Sequence, residues 1–327
     1  MAAFTTNTQK SMALFSGSAN PKLADAIANE LGISLGNVKL EKFSNGEIYA
    51  RYLESVRGVD VFIVQSVAGP QVNDALMELL IMIDAAKRAS AHTITAVLPH
   101  YGYARQDRKA AAREPITAKL VADLLQTAGV DRVMTIDLHQ GQIQGFFDIP
   151  VDHLTALPIF ADYYKSKNFE GEQLCVVSPD VGRAKAAKKL SDMLGADLAI
   201  MHKGRPEHNK AEITALIGDV DGKICIVNDD MIDTGGSMVG AVDTLHTKGA
   251  KEIYVCTTHP VFSGPGLERM ANLNVKEVLV CDTIPVPMEY QTGKIKVVSV
   301  APLFARAIRN VYNNGSVSEL FDPDFAL

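Results

Sequence analysis

Residues able to do chemistry crowd into one short stretch, Ile224–Ser237, which reads ICIVNDDMIDTGGS. Ile224, Cys225, Ile226 and Val227 are apolar and rich in β-branching, which predicts a buried strand of a parallel sheet. Asn228, Asp229 and Asp230 then put two carboxylates at the C-terminal end of that strand, where open α/β sheets bind ligands. Asp233-Thr234-Gly235-Gly236-Ser237 follows and leads into a helical stretch, Met238–Thr247. Glycines let the backbone approach an anion closely, and the amides of a helix N-terminus point at it. Thr234 and Ser237 add hydroxyl donors. Three carboxylates this close repel one another, so a ligand that uses them accounts for the stretch better than an acidic rim on a turn. A sugar phosphate would use both ends, its hydroxyls donating to the acids and its phosphate lying in the Gly/Ser/Thr nest.

Other candidates are weaker alone. His100–Lys109, HYGYARQDRK, carries two tyrosines and a dense basic cluster. Arg105 and Arg108 could form charge-assisted bonds to phosphates while a tyrosine stacks on a base. A solvated loop reads the same way, and spacing leaves both open. Asp137-Leu138-His139 ends a strand-like run. A lone histidine there is usually structural, but the neighbouring Asp and the polar Gln140-Gly141-Gln142 raise a metal or phosphate role. Ser178-Pro179-Asp180 places another carboxylate at a strand's end. His202–Lys210, HKGRPEHNK, is hydrophilic, basic and broken by Gly and Pro, which predicts a mobile loop. Phe43-Ser44-Asn45-Gly46-Glu47 is a hairpin signal through Asn-Gly.

These segments need elements to hold them. Strand-like runs at Val38–Phe43, Ile48–Leu53, Val59–Gln65, Thr93–Leu98, Arg132–Leu138, Leu174–Val177, Asp197–Met201, Ile213–Ile217, Ile253–Cys256, Val278–Cys281 and Lys296–Val300 alternate with helical ones. Asn20-Pro21 opens a helix over Lys22–Leu31 that Gly32 closes. Asn73–Arg88 is apolar nearly all round, as suits packing on a sheet and on a second subunit. Ile116–Thr127, Lys185–Leu194, Ser263–Asn272 and Leu303–Tyr312 complete the helices. The alternation predicts an α/β protein of two doubly wound domains, as the length of 327 residues also suggests.

Composition excludes several classes. A net charge of −6 leaves no basic footprint, so nucleic acid is not an expected partner. Cys175, Cys225, Cys256 and Cys281 sit in or beside apolar runs without a CxxC pair, as expected of core residues in a reducing cytoplasm. Met1–Lys10 lacks the apolar core of a secretory leader. The apolar run Leu76–Ile83 contains Glu78 and is too short to span a membrane. There is no Gly-x-x-x-x-Gly-Lys-Ser/Thr sequence, hence no Walker A site.

The stretch NDDMIDTGGS resembles the phosphoribosyl diphosphate (PRPP) binding motif of the type I phosphoribosyltransferase fold. Together with FSNGE, YGYARQDR, DLH and SPD in the same order, and with NDALMELLIMIDAAKRAS and TTHP, it makes the chain similar to the bacterial class I ribose-phosphate diphosphokinases, or PRPP synthetases, from about Met12 to Phe321. The resemblance implies two domains of the type I phosphoribosyltransferase-like fold, at 1–152 and 153–305, with a C-terminal helix and tail at 306–327. It implies transfer of the β,γ-diphosphoryl group of ATP to the 1-hydroxyl of ribose 5-phosphate, giving PRPP and AMP with magnesium as cofactor. Carried over motif by motif, Asn45, Gly46 and Glu47 would contact ATP from a neighbouring subunit. Arg105, Gln106 and Arg108 would contact its adenine and phosphates. His139 and Asp180 match the magnesium site. Asp229, Asp230, Asp233, Thr234, Gly235, Gly236 and Ser237 match the ribose 5-phosphate site. Lys203 and Arg205 match a flexible catalytic loop, with Arg205 also gripping the sugar phosphate. A cytoplasmic homohexamer, with ADP and phosphate as allosteric ligands, is implied too.

The chain departs from that family pattern in four places. Gly204 stands where an Arg is usual, the segment Val181-Gly182-Arg183 is shorter than usual, Asn45 replaces a common Asp, and Asn228 replaces an apolar residue. Two rival readings compete. A phosphoribosyltransferase that consumes PRPP would need the central stretch but not a second α/β domain carrying FSNGE and YARQDR. A non-catalytic regulatory relative would be expected to lose Lys203, His139 or an Asp, or to carry an insertion in the loop, and none of that is seen.

Overall fold

The computed structural model describes residues 11–169, 171–207 and 210–321. The first half runs β1 (Met12–Ser16), α1 (Pro21–Leu31), β2 (Val38–Lys42), β3 (Ile48–Tyr52), β4 (Asp60–Val64), α2 (Val72–Arg88), β5 (Thr93–Leu98), α3 (Thr117–Ala128), β6 (Arg132–Ile136) and β7 (Val151–Leu154). The second half runs α4 (Leu157–Ser166), β8 (Leu174–Ser178), α5 (Ala184–Leu194), β9 (Asp197–Glu207), β10 (Lys210–Ile217), β11 (Ile224–Ile232) and α6 (Gly236–Thr247). It continues with β12 (Glu252–Pro260), α7 (Gly266–Asn272), β13 (Glu277–Cys281), β14 (Ile295–Val298) and α8 (Ala301–Tyr312). The alternation builds two wound sheets. One has the order β1-β4-β5-β6-β7 and is wholly parallel. The other has the order β10-β9-β8-β11-β12-β13-β14, parallel except at β10. Strands β2 and β3 form a separate hairpin.

Both sheets are covered on both faces, and their strands read accordingly as continuous apolar runs. Leu14, Phe62 and Val64 face a central layer, while Phe15, Val61 and Ile63 face an outer layer under α2 and α3. The second sheet presents Val176, Ile226, Cys256 and Leu279 to the same central layer, and Val177, Val227, Val255 and Val280 to an outer layer under α6 and α7. The central layer therefore belongs to both halves of the chain. Leu23, Ala24 and Ile27 of α1 are buried there with Leu303, Phe304 and Ile308 of α8. Each fully buried Leu, Ile or Phe contributes about 1.5–3 kcal/mol.

Two segments differ from the sequence expectation. Strand β11 extends past Val227 to Ile232, so the acid pair lies inside a strand. Pairing with β12 continues through Ile232, whereas pairing with β8 stops at Val227. One edge of β11 is thereby bare at Asn228–Ile232, and a crevice opens there. The segment expected as a mobile loop, His202–Lys210, is instead largely strand. β9 runs through Glu207 and pairs antiparallel with β10, with Lys203 opposite Ile213 and Gly204 opposite Glu212. Cross-strand bonds to a strand-forming partner outweigh the local preferences of Gly204 and Pro206. Pairing of β8 with β9 stops at Ile200, so Pro206 faces no second neighbour needing its missing N–H. His208 and Asn209 lie outside the described residues.

The two sheets meet at the C-terminal ends of their strands through a buried polar seam. The Asp137 carboxylate accepts from Thr155 Oγ1 at 2.8 Å, the Ala156 amide at 3.0 Å and Thr258 Oγ1 at 2.6 Å. His259 Nε2 lies 3.2 and 3.1 Å from the carbonyl oxygens of Ile136 and Asp137, and its Nδ1 lies 3.1 Å from Thr283 Oγ1. Ser66 Oγ donates to the Thr283 carbonyl at 2.7 Å, and Asn20, the N-cap of α1, donates to the Asp282 carbonyl at 2.8 Å. His100 stacks edge-on against His259 with ring centroids 4.9 Å apart, and its Nδ1 lies 2.8 Å from the Val67 carbonyl.

Burial pushes His100 down to about 3, helped by the neighbouring His259. Burial also lowers His259. An unfolded histidine titrates near 6.5. Below that pH the unfolded chain binds protons that the folded chain refuses. The stability that the neutral His100 confers is thus complete above about 6.5 and drains away as pH falls toward about 3, at about 1.4 kcal/mol per pH unit when fully responding, and His259 acts in the same direction. Urea unfolding across pH 7.5–4.5 is expected to show this loss. His100→Gln is expected to give a slope shallower by about one proton; an unchanged slope would remove His100 from the account.

Candidate active site

The crevice on the bare edge of β11 is the mouth of a cleft of about 360 Å³. Its floor carries Asp229 and Asp230, and one wall is the Asp233–Ser237 loop that opens α6. Arg105, from the segment between β5 and α3, lies at the rim. His139, just after β6, and Asp180, just after β8, close the far side. Residues far apart in the chain thus converge because the ends of both sheets face one another.

Several of the charges in this cleft are paired. His139 Nδ1 lies 2.8 Å from Asp230 Oδ2, and Asp230 is almost wholly buried. Burial works against charge on Asp230, but the bond to His139 and the charge of Arg183 outweigh it and hold this carboxyl well below its usual range. Asp229 is pushed the other way by burial and by the adjacent Asp230. Repulsion within the pair drives the two acids apart, as it does for any two carboxyls sharing a site. Arg105 Nη2 reaches Asp233 Oδ2 at 2.8 Å. Burial opposes charge on Asp233, and bonds to Ser263 and Arg105 lower it overall.

The phosphate end follows from backbone geometry. Gly235 is the N-cap of α6 with φ +75°, a conformation that glycine adopts without cost, and it offers no side chain to cap the first turn. The amides of that turn have no intrahelical partners and face the cleft, which makes an anion site. The loop is braced from behind by α7. Arg269 Nη1 donates to the Thr234 carbonyl at 2.8 Å, and a Cβ on Gly266 would lie 2.2 Å from the Asp233 carbonyl oxygen.

Most residues singled out by sequence meet here: Arg105, His139, Asp180, Asp229, Asp230, Asp233, Thr234, Gly235, Gly236 and Ser237 line the one cleft. Gln106 lines an adjoining cleft of about 260 Å³ with Tyr103 and Met231, and Arg105 borders both. Arg108 is exposed and lines neither. Asn45, Gly46 and Glu47 form the exposed turn of the β2–β3 hairpin and also line neither cleft. Lys203 and Arg205 lie on β9, and their side chains are outside the described residues. Sequence reasoning missed Arg183, Arg269 and Gly266. Arg183 was visible only as part of a short segment after Asp180, and nothing local announces the other two.

For a divalent cation, Asp180 and His139 are the donors available on the far side. Among the described residues no cluster of three or more His, Cys, Asp or Glu is arranged to hold a metal by itself. The Asp180 carboxylate suits magnesium that takes its remaining ligands from water and substrate phosphates, whereas the His139 imidazole is a softer donor than that ion usually takes.

Comparison with known proteins adds an independent line. A family model described as the N-terminal domain of ribose phosphate pyrophosphokinase matches residues 12–129, and one described as a phosphoribosyl synthetase-associated domain matches 196–322. A ribose-phosphate pyrophosphokinase of Fusobacterium nucleatum subsp. nucleatum is 53% identical over 94% of this chain and 98% of its own. One of Clostridium acetobutylicum is 52% identical over 97% and 99%. The crystal structure of phosphoribosylpyrophosphate synthetase from Mycobacterium smegmatis superposes with a TM-score of 0.87 at 48% identity, covering 94% of this chain and 100% of that one.

The brace behind the anion loop can be tested without a ligand. Gly266→Ala forces a methyl into the Asp233 carbonyl and is expected to cost about 1–3 kcal/mol, read as a lower urea midpoint at unchanged m. Gly293→Ala, whose added Cβ meets nothing within 4 Å, is expected to be silent. Equal midpoints for the two variants would show that α7 does not fix the loop.

Proposed function

Because this chain belongs to the ribose-phosphate pyrophosphokinase family, we propose that the acidic floor of its cleft takes the sugar of ribose 5-phosphate and the α6 amides take the phosphate. The reaction moves the β,γ-diphosphoryl group of ATP onto the sugar 1-hydroxyl, releasing AMP. The observation that carries the site reading is the convergence of Asp229, Asp230 and the Asp233–Ser237 loop with Arg105, His139 and Asp180 around a single cleft.

In this reading Asp229 and Asp230 accept from the 2- and 3-hydroxyls, and the first turn of α6 fixes the 5-phosphate. Two anchored ends leave the 1-hydroxyl little freedom, which is most of what an in-line displacement asks of a protein. The hydroxyl oxygen attacks the β-phosphorus and gives up its proton to water, the bond from that phosphorus to the α,β-bridging oxygen breaks, and AMP leaves with that electron pair. Arg105 and Gln106 receive ATP at the border of the two clefts. Asp180 and His139 would hold magnesium, which when bound neutralises charge on the phosphates. Lys203 and Arg205, on the far part of β9, supply the remaining positive charge to the diphosphoryl oxygens.

The hairpin turn Asn45–Glu47 fits ATP contact from a neighbouring subunit, since it reaches neither cleft of its own chain. Met77 of α2 and Leu120 and Leu124 of α3 support such a neighbour: they are 51%, 54% and 39% exposed on two helices that pack together. A cytoplasmic homohexamer regulated by ADP and phosphate completes the proposal. Among the described residues no helix is long and apolar enough to cross a membrane.

The direct test is release of AMP from ATP, with and without ribose 5-phosphate. Dependence on the sugar supports the reading, and sugar-independent release defeats it. Asp229→Asn is expected to weaken ribose 5-phosphate by about 1.5–3 kcal/mol, the worth of a bond to a charged group, measured by calorimetry. Unchanged affinity would take Asp229 out of the sugar site. Lys203→Ala is expected to lower kcat by about 10²–10³-fold while sugar affinity holds, as for loss of a preorganised transition-state donor. A near-normal kcat would make Lys203 an ordinary surface charge.

A further inference from the structure

Arg269 projects from α7, and no residue of that helix lines the cleft. Helix α7 therefore stands behind the Asp233–Ser237 loop, on the side away from the ligand space. Two successive carbonyls of the loop turn toward it. The Asp233 oxygen is so near Gly266 that a Cβ there would lie 2.2 Å from it, and the Thr234 oxygen accepts from Arg269 Nη1 at 2.8 Å. No peptide bond among the described residues is cis. In a planar trans peptide the C=O and the N–H point opposite ways. The backward carbonyls of Asp233 and Thr234 thus send the N–H groups of Thr234 and Gly235 forward, into the cleft that both residues line. Among the described residues neither N–H has a hydrogen-bond partner. Successive N–H groups aimed at one place form a nest for an anion.

We propose that Arg269 is a positioning residue for the phosphate of the sugar: its guanidinium fixes the Thr234–Gly235 peptide with the N–H toward the ligand and, by drawing on the carbonyl, makes that N–H a stronger donor. The proposal rests on the reading of the first turn of α6 as the phosphate site. Hydrogen bonds in a chain polarise one another, and a bond with a charged member is about twice as strong as a neutral one. A guanidinium is always charged, and Arg269 forms no ion pair among the described residues, whereas Arg105 on the cleft side is paired with Asp233. The charge of Arg269 is therefore free to act through the peptide it holds. Its place behind the loop matters as well. A cation inside the cleft is open to the phosphates of either substrate, but one behind the loop acts only on the anion that these amides hold.

The experiment measures KM for ribose 5-phosphate and for ATP in sugar-dependent release of AMP, together with urea midpoints, for wild type, Arg269→Lys, Arg269→Gln and Arg269→Leu. Arg269→Gln can still donate to the Thr234 carbonyl but carries no charge. It is expected to keep the wild-type midpoint and to raise KM for ribose 5-phosphate about 5–10-fold, the gap between a charged and a neutral bond, with KM for ATP nearly unchanged. Arg269→Lys is expected to recover most of that loss. Arg269→Leu loses both charge and donor and is expected to raise the same KM about 10–100-fold. The difference between wild type and Arg269→Gln is expected to narrow in about 1 M salt, where screening is strong; a brace without an electrostatic part would leave it unchanged. A wild-type KM for ribose 5-phosphate in Arg269→Gln overturns the proposal, because a neutral donor then suffices. So does Arg269→Lys performing no better than Arg269→Gln, or an equal loss toward both substrates with a lowered midpoint, which would make Arg269 a brace for the loop alone. If the wild-type enzyme takes ribose as readily as ribose 5-phosphate, the reading of the α6 turn as the phosphate site fails, and the proposal falls with it.

Discussion

The Asp137 carboxylate is the centre of the polar seam that ties the two sheets together beside the cleft. It is buried, so each of its bonds is worth more than on the surface and none is easily left unmade. Thr155 and Ala156 fasten it to the start of α4, and Thr258 fastens it to β12 of the other sheet. Its backbone sits at φ +38°, a region where Asp is among the better tolerated side chains. That bend turns the chain so that His139, two residues later, meets Asp230 from across the seam. The active-site geometry therefore depends on packing between sheets, and not on any one motif.

The cleft is built from opposed charges that restrain each other. Asp230 leans on His139 and Arg183, and Asp233 leans on Arg105. Each partner in these pairs comes from a different element, so the charges also register β6, β8, β11 and the Arg105 segment against one another. The anion end works without a side-chain charge of its own in the cleft, through the amides of α6 and the glycine at its cap. In the proposed reading the site separates its tasks in space, with hydroxyl recognition on the strand and phosphate recognition on the helix.

Much of this was legible in the chain because it is local. A β-branched run followed by acids and a Gly-rich turn can be read as strand, crevice and helix start from propensity alone, and Ile224–Ser237 was. The failures are equally physical. Strand β11 was expected to stop at Val227 because the residues beyond it are polar, but pairing with β12 carries it to Ile232. His202–Lys210 looked like a loop because Gly, Pro and charge dominate it, and only the antiparallel partner Lys210–Ile217 makes a strand of it. Arg183 and Arg269 each act across the fold on residues tens of positions away. No window of sequence contains both partners, so neither could be found before the sheets were in place.

The shared central layer has a consequence for how this polypeptide is made. Leu23, Ala24 and Ile27 are near the start of the chain, but the helix that covers them, α8, ends at Tyr312. At roughly 5–20 residues per second, translation leaves that apolar stripe uncovered for tens of seconds. A nascent chain carrying a finished first sheet still shows water a face meant for the interior. Completion must wait for the ribosome to release the last helix, and during that interval the half-built protein is the kind of species that molecular chaperones bind.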